Sequence, residues 1–193
     1  MKCLSFRKLP PELDCPVDGF LLDIVDIVNP YFYNLWFTPN LLTLISAIIG
    51  IFSSYCCYYN YHIFSSFFYF VGYFFDCADG NFARRYRMTS KFGDIFDHTK
   101  DLVVSFSLMG ILFYKYSLTP LTFFLSIVFS VMFFLNNLYL NQQERYFNGE
   151  KSYFLSIFTL KSNISLKYLR YFGCGILNCY VSLVILFMGY NLI

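Results

Sequence analysis

Five apolar stretches dominate this chain, and each is long enough to cross a bilayer as a helix. They run from Leu41 to about Tyr58, from about His62 to Ala83, from about Phe92 to Tyr114, from about Leu118 to Leu140 and from about Phe172 to Leu192. A hydrocarbon core about 30 Å thick takes roughly 20 residues of helix. Because no water reaches the backbone there, a continuous apolar run crosses with its polar groups bonded internally, as a helix. Of the 193 residues, 58% are hydrophobic, 23% are aromatic and only 13% are charged. That balance excludes a disordered chain, a basic nucleic-acid-binding domain and most soluble enzymes. The expected fold is all-α: a polytopic transmembrane helix bundle, integral to a membrane. It has five spans, or six if residues 141–171 hide a short one.

Two segments do not span. Residues 1–37 form an N-terminal segment ahead of a transmembrane domain over 38–193. Within it, Asp23 and Asp26 fall three apart among Phe20-Leu21-Leu22, Ile24-Val25 and Ile27-Val28. The remaining face is partly apolar, as on an interfacial helix or a helix packed on the protein's own surface. In 141–171 the best apolar run, Tyr153 to Leu160, is too short to cross. Thr38-Pro39-Asn40 reads as a helix start. The first 20 residues carry charges and three prolines, so no cleavable signal peptide is expected. Seven cysteines, an odd number without a C-x-x-C pair, suggest neither a disulfide framework nor a zinc site.

The bases give an orientation. Arg84, Arg85, Arg87 and Lys91 lie between the second and third spans; Arg145, Lys151, Lys161, Lys167 and Arg170 lie between the fourth and the last. The opposite loops hold only Lys115. The positive-inside rule then puts both basic loops, and the N-terminus, in the cytoplasm. Asn163-Ile164-Ser165 matches a glycosylation sequon but falls on that side, so it reads as chance.

The acids are more informative still. Of twelve, five precede residue 27, two lie at 144 and 150, and the other five fall between Asp76 and Asp101. Asp76, Asp79, Gly80 and Ala83 follow i, i+3, i+4, i+7, one helical face. Gly93, Asp97 and Asp101 follow i, i+4, i+8, again one face. A short basic turn joins the two helices, so four carboxylates converge at the cytoplasmic membrane boundary. At an effective dielectric near 20, each pair at about 4 Å repels by about 4 kcal/mol. Either some carboxyls are protonated or cations sit among them. An all-oxygen set favours a hard divalent ion, Mg²⁺ or Mn²⁺, and four carboxylates suffice for two ions. Gly80, Ala83 and Gly93 leave room for a phosphate to approach, or simply for close helix packing. Arg84 suits a diphosphate or a membrane-boundary anchor. Asp94 lies off the face, as a first-turn acid favoured by the helix dipole. His98 points about 100° from Asp97 and reads as a packing or supporting residue.

The whole pattern, D-x2-D-G-x2-A-R-x8-G-x3-D-x3-D, resembles the signature of the CDP-alcohol phosphotransferase family. Asp76, Asp79, Gly80, Ala83, Arg84, Gly93, Asp97 and Asp101 meet every fixed position. Thr38-Pro39-Asn40-Leu41-Leu42-Thr43-Leu44 is similar to the family's first-helix entry. The resemblance implies a membrane enzyme in which an acceptor hydroxyl attacks a CDP-linked phosphorus, CMP leaves and a phosphodiester forms. It implies two divalent metals, Mg²⁺ or Mn²⁺, on Asp76, Asp79, Asp97 and Asp101, with Asp101 also the general base. It implies contacts to the CDP moiety from Gly80, Ala83 and Arg84, with Asn40 and Gly93 as further candidates. Its partners would be a CDP-linked donor, a lipid or alcohol acceptor and, as is common in the family, a second copy of the chain. Phe96-Asp97-His98 with Asp101 is similar to the choline/ethanolamine branch, which uses diacylglycerol. The other branch joins CDP-diacylglycerol to inositol, serine or glycerol phosphate. The family core has six spans where five are clear here. A divalent-cation transporter and an inactive scaffold are the competing readings of the same carboxylates.

Overall fold

The computed structural model describes residues 7–116, 119–147, 152–153 and 164–190. Those residues are helical throughout their ordered elements: α1 (Pro16–Asn34), α2 (Pro39–Tyr58), α3 (His62–Arg85), α4 (Lys91–Tyr116), α5 (Pro120–Tyr146), α6 (Leu166–Leu169) and α7 (Cys174–Tyr190). A single 3-10 turn, Arg170–Phe172, joins α6 to α7. The molecule is an all-helical membrane bundle.

The starts follow local chemistry. Thr38 and Thr119 each precede a proline at the first helical position. Their hydroxyls accept from the N–H of Leu41 at 3.3 Å and of Thr122 at 3.2 Å, satisfying one of the free donors at each helix start. Ser90 does the same for the N–H of Gly93 at 3.0 Å. The turns after α1, α2 and α3 each reverse through one residue of positive φ: Trp36, Asn60 and Arg87.

Among the described residues, three helical stretches are long and apolar enough to cross a membrane: α2, α5 and Leu166–Tyr190. α3 and α4 are as long, at 24 and 26 residues, but carry the acidic constellation and its neighbouring bases. The fourth apolar stretch continues as helix six residues beyond Leu140, through Asn-Gln-Gln-Glu-Arg-Tyr. The short run from Tyr153 to Leu160 lies almost wholly outside the described residues, as does Asn163 of the sequon.

α2 packs along both α3 and α4, and α3 also meets α1 and α7. Small residues let these helices approach. The hydroxyl of Ser46 donates to the carbonyl of Gly72 at 2.9 Å, and that of Ser53 to the carbonyl of Ser65 at 2.7 Å. A side chain on Gly50 would meet Val104 of α4 at 2.8 Å. Such contacts replace the hydrophobic drive that lipid removes. Outside this seam, α2 and α5 expose Leu44, Ile48, Ile51, Phe123, Phe124, Ile127 and Val131, as lipid-facing surfaces do.

α1 is three-sided. Leu21, Leu22, Val25 and Asn29 are buried, and Asn29 donates to the side-chain oxygen of Asn81 on α3 at 2.8 Å. Asp23 and Asp26 form a second face, paired with Arg7 at 2.6 and 3.4 Å, while Arg85 donates to the carbonyl of Asp26 at 2.9 Å. The third face, Phe20, Ile24, Ile27 and Tyr31, is an exposed apolar stripe at i, i+4, i+7, i+11. The free thiols include Cys15, Cys56, Cys57, Cys77, Cys174 and Cys179.

Candidate active site

The facing halves of α3 and α4 on either side of their connecting turn carry the four aspartates. Asp76, Asp97 and Asp101 each offer a carboxylate oxygen, and these three oxygens lie within 4.8 Å of one another. Asp79 adjoins the trio but is turned toward α2. It is 3% exposed, and one oxygen accepts from the Thr43 hydroxyl of α2 at 2.6 Å. The side chain of Asp101 is the open one of the three, at 53%.

Beside them lies a cavity of about 460 Å³. Asp79 and Asp97 line it together with Asn40, Gly80, Ala83, Arg84 and Gly93, all the residues singled out for the nucleotide. Lys8, Lys91 and His98 also line it, so its wall is rich in basic groups. Asp76 and Asp101 are not part of that lining.

The small residues have local tasks too. A Cβ on Gly80 would sit 3.2 Å from the guanidinium of Arg84, so this glycine leaves room for the arginine to fold back over its own helix. A Cβ on Gly93 would meet Asn40 and Ser90, each at 3.1 Å. Gly93 thus sets the approach of the α4 start to the α2 start. His98 bonds through Nδ1 to the carbonyl of Asp94 at 2.8 Å, which fixes its ring on its own helix.

Three contributors went unread in the sequence. Lys100 is buried, with its side chain only 3% exposed. Its ammonium pairs with Asp76, with Asp101 at 2.8 Å and with Asp97 at 3.2 Å, and donates to Ser46 at 3.4 Å. The signal available was a lysine between Asp97 and Asp101 in the sequence, three residues after Asp97. Thr43 gave a weaker signal, a hydroxyl one turn into an apolar helix. Lys8 gave none. It reaches the cavity from the N-terminal arm and pairs with Glu144 of α5, whose other oxygen accepts from the N–H of Ser152 at 3.0 Å.

A family model described as CDP-alcohol phosphatidyltransferase matches residues 36–188, from the α1–α2 turn to the last turn of α7. The chain belongs to that family. It is a membrane transferase of phospholipid synthesis that uses a CDP-alcohol. No curated protein and no solved structure matched it. The family uses divalent metals, and the donor set here suits one: oxygen ligands alone, from Asp76, Asp97 and Asp101. Asp97 Oδ1 is buried and makes no hydrogen bond, although the Lys100 ammonium lies 3.2 Å from it. The one group at odds with a full complement of ions is Lys100.

Proposed function

We propose that the chain transfers a phosphoaminoalcohol from CDP-choline or CDP-ethanolamine to the hydroxyl of diacylglycerol, releasing CMP. The observation that carries this reading is the cavity that gathers Asn40, Gly80, Ala83, Arg84 and Gly93 around Asp79 and Asp97. Its size falls in the range of small-molecule sites, about 300–1,000 Å³. Phe96-Asp97-His98 with Asp101 supports the aminoalcohol donor.

In this reading the acceptor oxygen forms a bond to the donor phosphorus next to the alcohol. The bond from that phosphorus to the bridging oxygen breaks, and CMP leaves with that oxygen. Arg84, with Lys8 and Lys91 nearby on the cavity wall, balances the diphosphate charge. Gly80 and Ala83 leave the α3 backbone open to the nucleotide. Asp101 takes the acceptor's proton. Its half-open side chain lies off the cavity lining, which suits an acceptor arriving from a different side than the donor. Mg²⁺ or Mn²⁺, held by Asp76, Asp79, Asp97 and Asp101, would supply charge neutralisation at the diphosphate. The resemblance implies two such ions, and Lys100 bears on that number.

The same reading covers placement. Lys8, Arg84 and Lys91 line the cavity, while Lys115 bonds Asn60 in the α2–α3 turn at the other end. The cavity end therefore faces the cytoplasm. α1 lies in the membrane interface on that side, with Phe20, Ile24, Ile27 and Tyr31 toward the acyl chains.

The test is CMP release by the purified chain in detergent–lipid micelles with Mg²⁺ or Mn²⁺. The donors are CDP-choline, CDP-ethanolamine and CDP-diacylglycerol, each with its acceptor, and Asp97→Asn is the control. Metal-dependent release from an aminoalcohol donor, lost in the variant, is expected. Release from CDP-diacylglycerol alone would move the chain to the other branch. Metal uptake or binding without release would favour the transporter or the scaffold.

A further inference from the structure

We propose that Lys100 takes the place of one of the two divalent ions, so that this chain holds a single catalytic ion per site. The inference rests on the reading of the aspartate cluster as a divalent-metal site.

The argument is one of shared space. The three oxygens of Asp76, Asp97 and Asp101 that lie within 4.8 Å of one another are the obvious trio for an ion. The Lys100 ammonium touches Asp76 and lies 2.8 Å from Asp101 and 3.2 Å from Asp97, through the same Oδ1 atoms. A hard divalent ion would bind these oxygens at about 2.0–2.1 Å. An ammonium and an ion cannot both occupy the centre of one such trio.

Lys100 has no easy exit. Its side chain is 3% exposed, and the ammonium also reaches Ser46 on α2, so the stem runs into the α2–α3–α4 interior. A buried ammonium without its carboxylates would cost several kcal/mol. An arriving ion would have to displace it into that interior.

The cavity side of the cluster is less obstructed, since the lysine's ion pairs run to Asp76, Asp97 and Asp101 while Asp79 is held by Thr43. Asp79 and Asp97 line the cavity, Asp79 is oriented by Thr43, and Asp97 has a second carboxylate oxygen, Oδ2, besides the Oδ1 that Lys100 approaches. The single ion belongs on that side, next to the donor diphosphate. The lysine supplies fixed positive charge on the deeper side, next to Asp101.

Manganese counting tests this without reference to turnover. The full chain, purified in detergent with excess Mn²⁺ and then desalted, is analysed for Mn per chain and by electron paramagnetic resonance. About one Mn²⁺ is expected in the wild type, with the spectrum of isolated ions. In Lys100→Ala and Lys100→Gln about two are expected, with the broadened spectrum of a close pair. Lys100→Arg keeps the charge and should stay at one. Two ions per wild-type chain would overturn the role of Lys100 and leave the metal site standing. One ion in both neutral variants would overturn it equally. No ion in any form would instead overturn the reading of the cluster as a metal site. If the neutral variants fail to fold, the wild-type count and spectrum still decide.

Discussion

Asp18 offers a test of how α1 is held to the bundle. It sits in the first turn of α1 and accepts a hydrogen bond from the Tyr73 hydroxyl of α3 and one from the backbone N–H of Gly175 on α7. Burial is the largest influence on it and pushes its carboxyl from the ordinary 3.8 up to about 7. The Tyr73 bond pulls the other way, and the nearby charge of Asp14 adds to the rise. Because the folded value lies above the unfolded one, the native state holds a proton that the unfolded state has released. This contribution to stability is therefore fully present below about pH 4, is lost as pH rises toward 7, and is level above that. The interval corresponds to at most about 4 kcal/mol, and water at the partly open carboxyl reduces it to about 1–3 kcal/mol. Asp18→Asn keeps an acceptor for Tyr73 and removes the titration. At about pH 8 it should melt higher than wild type by about 3–10 °C, at about 2–4 °C per kcal/mol for a chain of this size. At about pH 5 the gap should shrink to about a third, since most of the linkage lies above that pH. Far-UV circular dichroism melts in detergent at both pH values check it. The change in the gap carries the test, because the amide brings donors of its own. A gap that stays constant with pH, or one that grows toward acid, would refute a protonated Asp18.

Two further substitutions address the site and the seam beside it. Thr43→Val removes the hydroxyl that donates to Asp79 at 2.6 Å and leaves the shape nearly unchanged; Mn²⁺ affinity, followed by titration calorimetry, should fall about 10–100-fold, as expected when a group that orients a ligand is lost. Gly175→Ala places a methyl group 2.7 Å from Cβ of Val17 and into Asp18, so α1 and α7 must separate, at about 1–3 kcal/mol in a thermal melt. Gly110→Ala, which meets nothing within 4 Å on α4, is its control and should be neutral or stabilising by up to about 1 kcal/mol.

The helices and the meeting of the two aspartate faces were legible because both depend on short-range periodicity. A capped apolar run is a helix whatever surrounds it, and Asp97 and Asp101, four apart, point nearly the same way. The turn of Asp79 toward α2 follows from the same geometry applied more strictly. Asp79 is rotated about 60° from Asp76 and lies about 4.5 Å further along α3. That step carries it from the trio to the cavity wall, where Thr43 holds it. For α1 the sequence left an interfacial helix and a helix packed on the protein's own surface open, and neither named a partner; only the path of the chain brings Asp18 to Tyr73 and Gly175.

Lys100 was missed for a reason that applies to any reading by helical face. Its Cα lies about 100° around α4 from that of Asp101, off the acidic stripe, where an aspartate would be out of reach. A lysine is not bound by that angle, because four methylenes carry its charge several ångströms from the backbone. Burial among α2, α3 and α4 leaves the ammonium one satisfactory environment, and the carboxylates of Asp76, Asp97 and Asp101 provide it. A face diagram treats side chains as directions, whereas the charge in this site is decided by reach. The proposed single-ion site therefore depends on the residue at position 100 as much as on the eight motif positions around it.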